Sequence, residues 1–194
     1  MIHPPPYETL NKDSVWIRPY RPTDINGHLE AATESSAEVY PWLPWCNPKY
    51  TRDDAEIWVI SRPQAWEQGN EYSFVITDAN NRFLGSVGLN TIDFENQRAN
   101  LGYWVRSSAC GMGLATAATE LAVEFAFKTV QLKRVEILAA VENKASQRVA
   151  EKAAAIREGI LRSRLILHGR SHDVVAYSLI STDNWQAHSV QRGA

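Results

Sequence analysis

SACGMGLATAATE, residues 108–120, places two glycines, Gly111 and Gly113, directly ahead of an alanine-rich segment. Upstream, Arg98 to Val105 reads as a strand. Downstream, Leu114, Ala118, Leu121, Ala122 and Phe125 fall at i, i+4, i+7, i+8 and i+11, the apolar stripe of a helix, with Thr116, Glu120, Glu124 and Lys128 on the opposite stripe. The order is strand, glycine turn, helix. Without a Cβ, Gly111 and Gly113 let the backbone turn tightly and present successive N–H groups at the positive end of the helix macrodipole, a ready anion site. A turn that only connects strand to helix is the competing reading, and one GxG does not decide between them. Longer phosphate motifs do not fit: no Gly-Lys-Ser/Thr follows, and no acidic residue closes a second strand about 20 residues on.

Outward from this turn the chain alternates strands and helices without repeats or low-complexity tracts. Val15 to Pro19 reads as a first strand, stopped by prolines. Thr23 or Asp24 is the expected cap of a helix to about Tyr40. Pro41-Trp42-Leu43-Pro44-Trp45 cannot be regular helix, because its prolines lack donors and clash with the preceding turn. Thr51, with acids behind it, is expected to cap a helix to about Gln68. Tyr72 to Thr77 and Phe83 to Leu89 form a hairpin across Asp78-Ala-Asn-Asn81. Arg134 to Val141 is a strand, Asn143 opens another helix, and Ile156 to Leu167 and Val174 to Ile180 are strands around a Gly169 turn. The result is one mixed α/β domain over residues 1–194, with about seven strands and about four helices, a core of about 10–181 and a polar tail over 182–194.

Composition is ordinary for a globular chain, with 44% apolar and 22% charged residues. A net charge of −2 argues against direct binding of nucleic acid. Cys46 and Cys110 are too few for a disulfide framework, which suits a reducing compartment. The first residues show no signal-peptide pattern, and no run of about 18 apolar residues offers a membrane span. The expectation is a cytoplasmic protein, monomer or homodimer, away from membranes.

Four blocks carry a family resemblance. Leu101-Gly102-Tyr103-Trp104-Val105 followed by Cys110 to Thr116 resembles the acetyl-CoA loop of the GCN5-related N-acetyltransferases (GNAT), with Gly113 and Ala115 at its two small positions. Val141-Glu142-Asn143-Lys144-Ala145-Ser146, with Glu151-Lys152 and Arg157 to Arg162, is similar to that family's next block. Pro41 to Trp45 and Gly169 to Leu179 resemble the branch that acetylates ribosomal-protein N-termini. The resemblance implies a GNAT-type fold and an acetyl-CoA-dependent N-acetyltransferase. Acetyl would pass directly, through a tetrahedral intermediate, to the N-terminal α-amine of a protein. The alternatives are acetylation of a small amine (polyamine, amino acid or antibiotic) or a CoA-binding protein with little activity. The resemblance places the CoA pyrophosphate on the backbone amides of Gly111, Met112, Gly113, Leu114 and Ala115, with Cys110 and Thr116 also in the cofactor-binding loop. It sets the pantetheine arm along Tyr103, Trp104 and Val105, with one N–H in the oxyanion role. Asn143 and Ser146 would contact the cofactor, and Ser146 or Tyr177 would assist the departing thiol as a weak acid. No metal is implied.

Three departures bear on chemistry. Cys110 stands where relatives have Gln or Arg, which removes a side-chain phosphate contact. Ala154 and Ala155 replace Gly-Phe. Asn100 stands where many relatives carry a strand Glu as general base, and an amide cannot take a proton at neutral pH. The amine must be neutral to attack. At pH 7 about a tenth of an α-amine is neutral (pKa ~7.7–8.0), against about one in 2,500 for lysine at ~10.4. A site without a strong base therefore suits an N-terminus. Glu71, Asp93 or Glu95 are replacement bases acting through a water, unless they are solvated surface carboxylates.

Trp58 and Trp66 are expected in the core. Trp42 and Trp45, on the proline-broken loop, either wall a substrate groove or join the core. His168 and His172 flank a turn rather than share a helix face, so metal ligation is discounted. Ser171-His172-Asp173 is not a triad, which is spatial rather than sequential. Arg157, Arg162, Arg164 and Arg170 make a basic strand pair, either a solvated face or a contact for the CoA 3′-phosphate or an acidic partner.

Overall fold

Eight strands form one sheet in the order β1-β2-β3-β4-β5-β6-β8-β7 in the computed structural model, which describes residues 4–183. Residues 1–3 and 184–194, the latter nearly all of the expected polar tail, lie outside the described residues. In chain order the elements are β1 (Leu10–Lys12), β2 (Val15–Pro19), α1 (Ile25–Val39), α2 (Arg52–Glu67), β3 (Tyr72–Thr77), β4 (Phe83–Asp93) and β5 (Arg98–Val105). There follow α3 (Leu114–Lys128), β6 (Arg134–Ala140), α4 (Lys144–Lys152), β7 (Ile156–Leu167) and β8 (Arg170–Ile180). The strand beyond the expected seven is β1. Its three residues are too few to show alternation, and it exists by pairing Leu10 with Ile17 and Lys12 with Val15.

Alternation along the strands feeds two cores on opposite faces. On one face Phe74, Ile76, Val87, Leu89, Leu101, Val135 and Ile137 meet the apolar stripe of α3, whose Leu121, Ala122 and Phe125 are buried as the spacing required. Trp66, Tyr72, Phe74 and Phe125 interlock there with ring centroids 5.0–5.6 Å apart. On the other face Val75, Phe83 and Trp104 meet Ala31, Ala32 and Val39 of α1 and Val59 of α2. Thr116 departs from the expected pattern: it is buried in the first turn of α3, beneath the glycine turn, rather than on the exposed stripe.

Helix starts follow local chemistry. Thr51 caps α2 by accepting from the Asp54 N–H while the Asp54 carboxylate accepts from Thr51, a reciprocal capping box. Asp24 precedes α1 but its side chain does not cap that helix: both its oxygens take the buried Arg18 guanidinium at 2.7 and 2.8 Å, and one also accepts from the Arg21 N–H at 2.7 Å. Asn143 caps α4 by accepting from the Ser146 N–H at 3.0 Å. The tip of the β7–β8 hairpin folds back onto the end of α1, where His168 Nε2 lies 3.0 Å from the Tyr40 carbonyl and the two rings meet edge-on.

The end of α4 carries strain. Ala155 N–H donates to the Ala150 carbonyl and Ala154 N–H to that of Glu151, a Schellman ending. The residue in its left-handed position is Ala154, at φ +64°, where glycine is preferred. Its Cβ disfavours that conformation by roughly 1–2 kcal/mol, partly offset by the greater unfolded-state entropy of glycine. Ala154→Gly is expected to stabilise the protein by about 0.5–1 kcal/mol, read as a higher urea midpoint at unchanged m-value.

Candidate active site

β5 and β6 run parallel but pair only over Arg98↔Arg134, Ala99↔Val135 and Asn100↔Glu136. Beyond that point they diverge. The β5 backbone from Leu101 to Val105 keeps its ladder to β4, and no described strand pairs with its other edge. A cleft of about 440 Å³ opens between the strands, lined by Leu101 to Val105 of β5 and Ile137 to Ala140 of β6. Its far walls are the turn at Cys110, Gly111 and Gly113, the face of α4 bearing Ala145, Ser146, Arg148, Val149 and Lys152, and Trp42 with Leu43 opposite Leu165 and Leu167.

The glycine turn is built as an anion cradle. Gly111 and Gly113 have φ of +82° and +80°, and a Cβ on either would meet nothing within 4 Å, so the space before them is open. Gly113 is the N-cap of α3 and no side chain caps the helix, so its first-turn N–H groups face the cleft end unsatisfied by the fold. The turn is anchored from behind by Arg106, which is buried. Its guanidinium meets Glu30 at 2.7 Å, Glu34, and the Phe83 carbonyl at 3.2 Å, while Ser107 N–H donates to Ser35 Oγ. Arg106, with two donors from Ser108, holds the Glu34 carboxyl down at about 2. A CoA pyrophosphate fits these donors, and the free β5 edge offers peptide groups to an extended pantetheine arm.

The expected cofactor residues gather as follows. Tyr103, Trp104, Val105, Cys110, Gly111, Gly113, Leu114, Ala115, Thr116, Asn143 and Ser146 all line the cleft. Met112 points away and is 71% exposed, so only its backbone can serve the cradle. Cys110 is exposed and contributes no cation. Tyr103 shows what the sequence reading left out: its side chain as well as its backbone is placed for chemistry. Its hydroxyl lies 3.0 Å from Ser146 Oγ and donates to the Ser146 carbonyl at 2.9 Å. Burial pushes its pKa up to about 12, so it stays a proton donor.

Tyr177 lies beneath α4, buried, its hydroxyl donating to Glu151 at 3.0 Å, and it does not line the cleft. Glu71 is likewise outside the lining, with both oxygens engaged by Arg62 at 2.6 Å and Ser73 Oγ at 2.5 Å. Asp93 is bound by Asn96 and Arg98. Asn100, the last β5 residue in register with β6, donates to Asn90 Oδ1 at 3.0 Å. Its own Oδ1 is buried and accepts no hydrogen bond among the described residues. Trp66 is core, whereas Trp58 is half-buried beneath the Arg62 guanidinium at 3.6 Å.

The two tryptophans of the proline-broken loop part company. Trp42 lines the cleft. Trp45 lines a second cavity of about 490 Å³ with His28, Tyr50, Asp54, Trp58 and Arg62. Trp104 joins the two, its ring 5.4 Å from Trp45 and 5.6 Å from His28. His28 is 1% exposed and hydrogen-bonded to Tyr50, and burial pushes its pKa down to about 4.

A cleft between splayed parallel strands, closed at one end by an anion-binding helix start, defines a protein that binds an extended phosphorylated cosubstrate. The acetyltransferase (GNAT) domain family matches residues 14–155. YdaF of Bacillus subtilis, provisionally named a ribosomal N-acetyltransferase, is 28% identical over 90% of this chain and 94% of its own. The N-acetyltransferase p20 of Bacillus licheniformis, itself uncharacterised, is 30% identical over 91% and 98%. Among solved structures, Mycobacterium smegmatis RimJ in complex with CoA-disulfide aligns with a TM-score of 0.88 at 23% identity, over 96% of this chain and 95% of that one. The chain belongs to the GNAT acetyltransferase family; it is an N-acetyltransferase, and acetyl-CoA is its cosubstrate.

Two measurements check this geometry. Gly113→Ala places a Cβ on a left-handed N-cap at the mouth of the cradle, a strain of roughly 1–2 kcal/mol. It is expected to lower the melting temperature and to weaken CoA binding about tenfold or more by calorimetry. His28 is neutral when folded, whereas in the unfolded chain it takes a proton below about 6.5. Stability is therefore full above pH 6.5 and falls by up to about 3 kcal/mol as the pH drops towards 4. Urea titrations of wild type are expected to show this slope, and those of His28→Gln to lack it.

Proposed function

We propose that the acceptor is the α-amine at the end of a protein or peptide, of the ribosomal-protein kind. One observation carries the reading: where the paired part of β5 and β6 ends, the side chain is the amide of Asn100, Tyr103 and Ser146 meet as hydroxyls, and the carboxylate of the lining, Glu38, is held by Ser107 at the loop end. Such a site acetylates an amine that already loses its proton near pH 7. An α-amine does so about two and a half pH units more readily than a lysine. The names of YdaF and RimJ are in keeping with this, as is the loop carrying Trp42 beside the cleft.

Bound acetyl-CoA supplies an activated thioester whose thiol, with a pKa of about 8.5, leaves readily. The chain supplies the rest. First-turn N–H groups of α3 hold the phosphates at one end. The free edge of β5 orients the acyl arm, and an N–H among Tyr103 to Val105 faces the thioester oxygen as charge develops there. Ser146 and Tyr103, linked at 3.0 Å, hold a proton beside the leaving sulfur, with Tyr103 kept protonated by burial. Trp104 and Trp42 screen the reacting centre from water.

A second reading has one observation behind it. The cavity lined by Trp45, Tyr50 and Trp58 includes the carboxylate of Asp54; Arg62 already covers Trp58, and the faces of Trp45 and Tyr50 with that acid suit a small cationic amine. Mass spectrometry of a peptide panel varying at residue one, with N-terminally blocked lysine peptides and spermidine in parallel, tests both. Acetylation of free N-termini at near-neutral pH is expected. Turnover confined to lysine side chains or to the polyamine overturns the reading.

A further inference from the structure

We propose that Arg148, on α4, is the cation that grips a phosphate of the cosubstrate. CoA brings a pyrophosphate and a 3′-phosphate into the cleft, yet the loop from Ser107 to Thr116 contains no cationic side chain. The nearest arginine, Arg106, is 3% exposed and already engaged by Glu30, Glu34 and the Phe83 carbonyl. Glu38 lines the same cleft, accepting from Ser107 Oγ at 2.8 Å, and adds a negative charge that phosphates must face. Backbone donors and a helix dipole supply only partial charges against these.

α4 answers the deficit. Ala145, Arg148, Val149 and Lys152 recur at i, i+3, i+4 and i+7, one helix face, and all four line the cleft. Arg148 is exposed and makes no hydrogen bond or ion pair among the described residues. By contrast, Arg18, Arg62, Arg98, Arg106 and Arg134 are each held by a carboxylate. Arg157, Arg162, Arg164 and Arg170, the basic strand pair, do not line the cleft. Arg148 is thus an unengaged, planar, five-donor group in the same cleft as the glycine turn, and its fork suits bidentate phosphate binding. It takes over on α4 the duty that Cys110 leaves undone on the loop. This is independent of which amine is acetylated.

Calorimetric binding of CoA and dephospho-CoA to the full chain tests the assignment without turnover. Arg148→Gln is expected to raise the Kd for CoA about tenfold, with the melting temperature unchanged because the side chain is exposed. Arg148→Lys recovers part of the loss, and Arg162→Gln, a charge change off the cleft, leaves the Kd unaltered. A loss that persists with dephospho-CoA assigns the contact to the pyrophosphate; one that disappears assigns it to the 3′-phosphate. An unchanged CoA Kd in Arg148→Gln, or an equal loss in Arg162→Gln, overturns the proposal.

Discussion

Everything functional here depends on two parallel strands that stop pairing. After Asn100↔Glu136 the hydrogen-bond ladder between β5 and β6 is given up, and the sheet forfeits several backbone bonds that a continuous sheet would make. That loss is tolerated because the exposed edge faces a cleft where an extended ligand can complete the ladder. The surrounding structure keeps the gap open. α3 packs under β5 and starts at its rim, α4 closes the side beyond β6, and the buried Arg106 ties the rim to α1 through Glu30 and Glu34. The glycine turn is one side of this opening, and its positive φ angles place the helix start at the cleft end.

Charge is distributed over that opening with economy. The turn offers dipoles, α4 offers a full cation, and the ion pairing of Arg106 with two glutamates at the rim is structural. On the α4 side of the cleft two hydroxyls, those of Tyr103 and Ser146, meet. Between this polar centre and the second, aromatic cavity stands Trp104, which lines the cleft and packs its ring against Trp45 and His28 of the other.

Much of the architecture was legible because it rests on local rules. The period of α3, the Thr51 box, the Asn143 cap and the hairpin turns each announce themselves within a few residues. β1 did not, since three residues gain their identity only from a partner strand. Asp24 was misleading as the cap of α1 because its oxygens turn back to the Arg18 guanidinium and to the Arg21 N–H rather than forward to the helix. The glycine turn could be read from its residues, since backbone geometry there follows from glycine. The chemistry of single side chains could not. Tyr103 reaches Ser146 across 43 residues, and Tyr177 turns to Glu151 instead of the cleft. Trp42 and Trp45, three positions apart, serve different cavities because the proline-broken loop turns between them.

The contact between His168 and Tyr40 has a topological meaning. It joins the β7–β8 hairpin to the end of α1 over a cleft whose walls include Leu165, Leu167, Trp42 and Leu43 from those same two segments. On that side the cleft is therefore bounded by two segments that are tied together rather than by two independent walls, closer to an eyelet than to a trench. A trench admits a chain laid in from above at any point along its length; an eyelet admits only what can be threaded. For an acceptor entering on that side, connectivity would sort a chain end from a mid-chain segment before any of its side chains was inspected.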